Sequence, residues 1–294
     1  MKTSRFVLIA LSLSLALALP RSVFAQNFRF SVVASGLASP MGIALEGSDD
    51  LYFTEVPNPG VGGAGNGVSH LDLGTGVITP ISNGEPEPTH VALSRSGDVY
   101  WTCKSAGVIL RAMENETSVL LTGLQQPSGI SVGRDGAVYF TEIPEPGVGG
   151  GSNTVSVLRG NNKMVVSMGE PEPTDVVVAD NGDLYWTCKS AGVILRRSNG
   201  TISVLRSGLN APSGIALDHK GEVLYFTEVP TPGVAGVNGG LNKVLALTLA
   251  TGGLRTIHSG DPEPTDIAVA RNGNLYWTCT SAGVIVEAKR TGRN

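Results

Sequence analysis

His90, Asp175 and Asp266 occupy one place in three near-copies of a single segment. The copies read "GEPEPTHVALSRSGDVYWTCKSAGVI" (Gly84–Ile109), "GEPEPTDVVVADNGDLYWTCKSAGVI" (Gly169–Ile194) and "GDPEPTDIAVARNGNLYWTCTSAGVI" (Gly260–Ile285). One imidazole and two carboxylates form a ligand set that a divalent cation could use. The other reading is that each side chain caps the turn at the start of its strand, a common use of Asp. Glu87, Glu172 and Glu263 stand between the two prolines of each copy, with Glu85, Glu170 and Asp261 just before them. Proline on both sides stiffens the loop and restricts where the acid points. These acids read either as a collar for a cation or a polyhydroxylated ligand, or as solvated rim charge.

Cys103, Cys188 and Cys279 end the aromatic runs of the same copies. Their place is taken by Glu55, Glu142 and Glu228 in a second set of units, and these glutamates join the candidate ligand-binding residues. Three cysteines is an odd count, so full internal pairing is impossible. A shared metal would need the sulfurs within roughly 4 Å of one another, since metal–sulfur distances are near 2.3 Å. Recurrence on alternate units keeps them farther apart than that. They read as three separate buried thiols.

The elements that position these residues follow from the repeat. A related half-unit reads "SPMGIALEGSDDLYFTE" (Ser39–Glu55), "QPSGISVGRDGAVYFTE" (Gln126–Glu142) and "APSGIALDHKGEVLYFTE" (Ala211–Glu228). Six units of about 40 residues thus alternate between two types, with two-unit copies near 36–122, 123–207 and 208–290. Each holds four short strand-like runs bounded by turn residues, the pattern of a propeller blade. The last unit lacks a fourth run, and "FRFSVVASG" (Phe28–Gly36) resembles the missing one. The expectation is an all-β, six-bladed β-propeller closed by an N-terminal strand that completes the last blade, leaving no open sheet edge. The aromatic pairs, Tyr100–Trp101 and its equivalents, read as core between adjacent blades, because strand neighbours face opposite sides. The glycine-rich insertions Pro57–Gly67, Pro144–Asn153 and Pro230–Gly240 read as flaps around the mouth of the ring.

The run "P-x-G-I-A-(V/L)…G-x-(L/V)-Y-(F/W)-T-E" resembles the NHL-type blade and is similar to the virginiamycin B lyase-like propellers. More distantly it resembles the senescence-marker/gluconolactonase superfamily. The resemblance implies a six-bladed propeller for nearly all of the chain after residue 25. It leaves activity open, since such folds include lyases, lactonases and binding modules. The lyases use histidine and glutamate around a metal, and only His90 stands in the matching context here. A lactonase-like site needs channel carboxylates, which are present, and an Asn that no motif assigns.

The chain begins with a basic "MKTSR", an apolar run Phe6–Pro20 and "SVFA" before Gln26, the form of a signal peptide cut after Ala25. Residues 26–294 are then one secreted or periplasmic domain with no membrane insertion after cleavage. Basic Lys2, Arg5 and Arg21 lie in the removed segment, so the remainder is more acidic than the whole chain at −4. A nucleic-acid partner is disfavoured. No histidine recurs between copies. The reading is a binding module for an unknown small molecule, sugar or protein at the acidic mouth of the ring. The alternative is a metal-dependent hydrolase or lyase at the same mouth, with His90 in its site. No cofactor is fixed by the residues; a divalent cation such as calcium or magnesium is the one the carboxylates could take.

Overall fold

The computed structural model describes residues 28–57, 65–114, 116–144, 152–230 and 241–291. The expected signal segment and most of each glycine-rich insertion lie outside these residues. Blade I comprises β1's successor strands β2 (Pro40–Glu46), β3 (Asp50–Glu55), β4 (Gly67–Asp72) and β5 (Ile78–Asn83), where β1 is Phe28–Ser35. Blade II is β6 (Pro88–Leu93), β7 (Val99–Cys103), β8 (Val108–Met113) and β9 (Glu116–Leu121). Blade III is β10 (Pro127–Val132), β11 (Val138–Glu142), β12 (Thr154–Arg159) and β13 (Asn162–Met168). Blade IV is β14 (Pro173–Val178), β15 (Leu184–Cys188), β16 (Val193–Ser198) and β17 (Thr201–Arg206). Blade V is β18 (Pro212–Leu217), β19 (Val223–Glu228), β20 (Lys243–Thr248) and β21 (Leu254–Ser259). Blade VI is β22 (Pro264–Val269), β23 (Leu275–Cys279) and β24 (Val284–Arg290), completed on its outer side by β1.

Six four-stranded antiparallel sheets therefore stand in a ring, a six-bladed propeller closed by the N-terminal strand. β1 pairs along β24 from Phe28 opposite Arg290 to Ser35 opposite Val284. The aromatic pairs fill the spaces between blades. Trp101 packs with Val68 of blade I, while its neighbour Tyr100 packs with Phe140 of blade III. Trp101, Trp186, Trp277, Phe53, Phe140 and Phe226 are fully buried. Each contributes on the order of 2–3 kcal/mol by leaving water.

Two devices fix the inner strands. The residue before each inner-strand proline has a left-handed backbone: Ser39, Glu87, Gln126, Glu172, Ala211 and Glu263, with φ of 47–58°. This conformation turns each carbonyl to accept an N–H from its own blade's next loop, at 3.0–3.2 Å. Six fully buried threonines, Thr54, Thr102, Thr141, Thr187, Thr227 and Thr278, then line the ring one strand out. Each hydroxyl accepts the N–H of an inner-strand residue at 2.8–3.2 Å. Five of them also donate to a carbonyl of the next blade, at 2.5–3.2 Å. A buried hydroxyl satisfied on both sides joins two blades without leaving a polar group stranded.

Candidate functional site on the propeller axis

Each inner strand carries a register shift just after its first proline, as between Pro173 and Asp175 or between Pro264 and Ile267. A β-bulge re-aims the residue it displaces. The residues at this irregularity include His90, Asp175 and Asp266 in blades II, IV and VI, and Gly42, Gly129 and Gly214 in the blades between. The three side chains meet on the ring axis. One ligand atom from each lies within 4.8 Å of the other two, and the residues are 4–5% exposed. The glycines make this possible. A Cβ on Gly129 would stand 2.4 Å from the Asp175 Cα and 2.6 Å from its Oδ1. Gly42 and Gly214 abut His90 and Asp266 in the same way.

The two carboxylates are engaged by backbone. Asp175 accepts the N–H of Val176 at Oδ1 and of Ile215 at Oδ2, at 2.8 and 2.9 Å. Asp266 accepts the N–H of Ile267 and of Ile43, both at 2.8 Å. Each aspartate so binds its own strand and the next blade. His90 differs: neither Nδ1 nor Nε2 has a hydrogen-bond partner among the described residues. Burial drives its pKa down to about 4, so the imidazole is neutral. Burial lifts Asp266 to about 7, and burial together with the Asp266 charge lifts Asp175 well above the carboxylate range. The pair retains a proton near neutrality, as two close buried carboxyls must.

This triad divides the channel. Toward the loop face His90, alone of the three, borders a cavity of about 220 Å³ whose polar lining includes Lys104, Glu172, Lys189 and Glu263. Toward the other face all three line a space of about 200 Å³ with aliphatic side chains such as Ile43, Val91, Val176 and Ile267. His90 borders both.

The glutamates separate into groups. Glu172 and Glu263 line the mouth, and Glu87 lies on its rim, 3.8 Å from the Lys104 ammonium. Each of these carboxylates accepts a serine hydroxyl: Ser105 on Glu87, Ser190 on Glu172, Ser281 on Glu263. Glu55, Glu142 and Glu228 are not in the cavity lining. They accept the backbone N–H of Ala38, Gln125 and Asn210, at 2.8–3.0 Å, and so hold the segments that lead into their own inner strands. Lys163 adds a 2.6 Å contact to Glu142. Glu85, Glu170 and Asp261 turn away from the mouth. Glu85 and Glu170 meet the Sγ of Cys103 and Cys188 at 3.6 and 3.7 Å. Trp186 and Trp277 donate Nε1–H to Glu170 and Asp261. The cysteines are free and fully buried, and among the described residues they form no candidate metal cluster. Desolvation first, then a carboxylate neighbour, raises their pKa values well beyond the usual thiol range.

Sequence reasoning missed the two mouth lysines, although "TCKSAG" recurs and marks Lys104 and Lys189. The threonine ring was also visible as the invariant Thr before each Glu or Cys.

No family model matches the chain, and no curated protein matches it. Solved structures do. A gluconolactonase from Xanthomonas campestris aligns over 90% of both chains with a TM-score of 0.72 at 14% identity. A streptogramin B lyase covers 90% of this chain and 98% of its own, with a TM-score of 0.64 at 17% identity. Virginiamycin B lyase from Staphylococcus aureus covers 91% and 90%, with a TM-score of 0.60 at 18% identity. At such identities the likeness is one of fold.

Proposed function

We propose that the protein is an exported propeller that holds a divalent cation on its axis and takes a small ligand in the mouth above it. The observation that carries this reading is the His90 imidazole: buried, neutral and unpartnered, set between two buried carboxylates in a cradle cleared by glycine. An imidazole left unsatisfied in the interior costs about 1–3 kcal/mol. A cation held by His90, Asp175 and Asp266 recovers that cost and displaces the proton of the carboxyl pair. Nitrogen in the set favours a borderline ion such as Zn²⁺ over calcium or magnesium, with Mn²⁺ the hard ion that the two carboxylates also suit. Bound there, the ion supplies a Lewis-acidic point at the floor of the mouth. Calorimetric titration with Mn²⁺, Zn²⁺, Ca²⁺ and Mg²⁺ tests it. One ion should bind per chain, at least tenfold more weakly in His90→Ala and Asp175→Asn. Binding of none of the four, or binding indifferent to both substitutions, overturns the reading.

A second reading is metal-dependent hydrolysis or elimination. Three protein ligands leave coordination positions open, as in catalytic rather than structural metal sites. The gluconolactonase and lyase likeness in fold points the same way by analogy alone. Turnover of a lactone, ester or cyclic depsipeptide, abolished both by chelator and by His90→Ala, establishes it. Failure across that panel by the cation-loaded protein leaves the binding module.

A further inference from the structure

We infer that the mouth ligand is a small organic dianion, and that Lys189, with Lys104 beside it, selects it by charge. This rests on the cation reading of the axial site. The three copies of the mouth loop carry Lys104, Lys189 and Thr280 at one position, so the threefold pattern is broken in charge. Thr280 has no hydroxyl to spare: it bonds Thr265 Oγ1 and the Pro40 carbonyl. Lys104 sits 3.8 Å from Glu87. Lys189 is half-buried in the cavity wall, and among the described residues no carboxylate lies within ion-pair distance of its ammonium. Its own copy's Glu172 is held by Ser190 instead. The cavity's cations therefore come from blades II and IV, while blade VI presents only the Glu263 carboxylate, as blade IV presents Glu172 beside Lys189.

A ligand in the cavity of about 220 Å³ has the lysines on one wall and His90 on the floor, and it would reach the axial cation from the His90 side. A molecule with one carboxylate for the cation and a second anionic group for Lys189 satisfies both. A neutral polyol satisfies neither charge. The asymmetry also fixes orientation, since the blade VI wall offers no counter-charge. Ammonium–carboxylate hydrogen bonds in a half-buried site are roughly twice as strong as neutral ones, and this sets the expected selectivity.

The test uses the full exported chain loaded with Mn²⁺, with malonate, succinate and glutarate as probes and their monoamides as charge controls. Inorganic phosphate forms a separate arm. At least one diacid should bind about tenfold more tightly than its monoamide. Lys189→Gln should shrink that preference to under threefold, Lys189→Arg should keep it, and Lys104→Gln should reduce it less, because Lys104 already has Glu87. Thr280→Lys should strengthen diacid binding. Equal binding of diacid and monoamide, a preference that survives Lys189→Gln, or tighter binding of phosphate than of every diacid overturns the inference. Cation titration without probe separates the two levels. Binding of none of Mn²⁺, Zn²⁺, Ca²⁺ and Mg²⁺ removes the cation reading and this inference with it, whereas cation binding without charge preference removes this inference alone.

Discussion

Blades I, III and V share one frame with blades II, IV and VI, and two of the places where they differ bear on the inner ring. On the inner strand the first set has glycine where the second has His90, Asp175 and Asp266. At the end of the next strand the first set has Glu55, Glu142 and Glu228 where the second has cysteine. The second difference is a compensated exchange. In the first set the strand-end glutamate reaches back to the backbone of the entering segment. In the second the thiol is too short for that, and the entering segment sends its own acid inward, Glu85, Glu170 or Asp261. One carboxylate reaches each corner of the ring, from opposite directions. The first difference has no such compensation within a blade: glycine exists so that its neighbour's side chain can reach the axis. An axial site of three groups thus needs six blades, half of them giving up a side chain.

The largest expected effect is at the glycines. Gly129→Ala drives a Cβ to 2.4 Å from the Asp175 backbone, which cannot swing aside as a side chain could. Urea unfolding should show a loss of about 3 kcal/mol, more than Asp175→Ala, which strands two N–H groups without forcing the strands apart. If Gly129→Ala costs under about 0.5 kcal/mol, within the range of an ordinary surface substitution, the two blade types are not locked together in this way.

Next in size is a pH signature of the second blade set. Asp266, lifted to about 7, keeps its proton longer folded than unfolded. Its contribution to stability is full below about pH 4 and fades as pH rises through 7. His90, lowered to about 4, acts in the opposite sense: its stability is full above its unfolded pKa near 6.5 and is lost as pH falls to 4. In chelator, replacing both aspartates (Asp175→Asn with Asp266→Asn) should leave a stability curve that climbs from pH 4 to 6.5, the His90 contribution alone. His90→Gln should leave one that descends over the same range, the two diverging by about 2 kcal/mol or more. Parallel curves for the two variants would break the assignment.

The smallest effect concerns the thiols. Cys103, Cys188 and Cys279 should be silent to a thiol reagent in the native protein and all three should react in denaturant. Fewer than three in denaturant without reductant would mean a bond or modification at that corner.

Much of this was legible because the chain repeats itself. The six sheets, the closure by Phe28–Ser35 and the alternation of Gly with His or Asp all follow from aligning the units. What was not legible is direction. Glu85 and Glu87 are two residues apart in one stiff loop, yet one enters the core and the other stays at the rim. The cause is the left-handed backbone at Glu87, and no glycine marks that position in any blade. The strand-end glutamates, expected at the ligand, face backbone N–H groups for a similar reason: the path of the entering segment decides which side of the strand end is occupied. The two mouth lysines were in plain sight in a repeated motif, but a lone Lys in a loop carries no signal until the wall it stands on is known.

The pairing of β1 with β24 sets an order of events. Among the described residues, the first strand to leave the ribosome finds its one sheet partner in the last. At about 5–20 residues per second, that wait is on the order of tens of seconds. Blades I to V can each form from neighbouring sequence as they emerge, but the ring stays a crescent until the final strand arrives. During that interval Phe28–Ser35 is an unpaired strand with an apolar face, the species most prone to pair with the wrong chain.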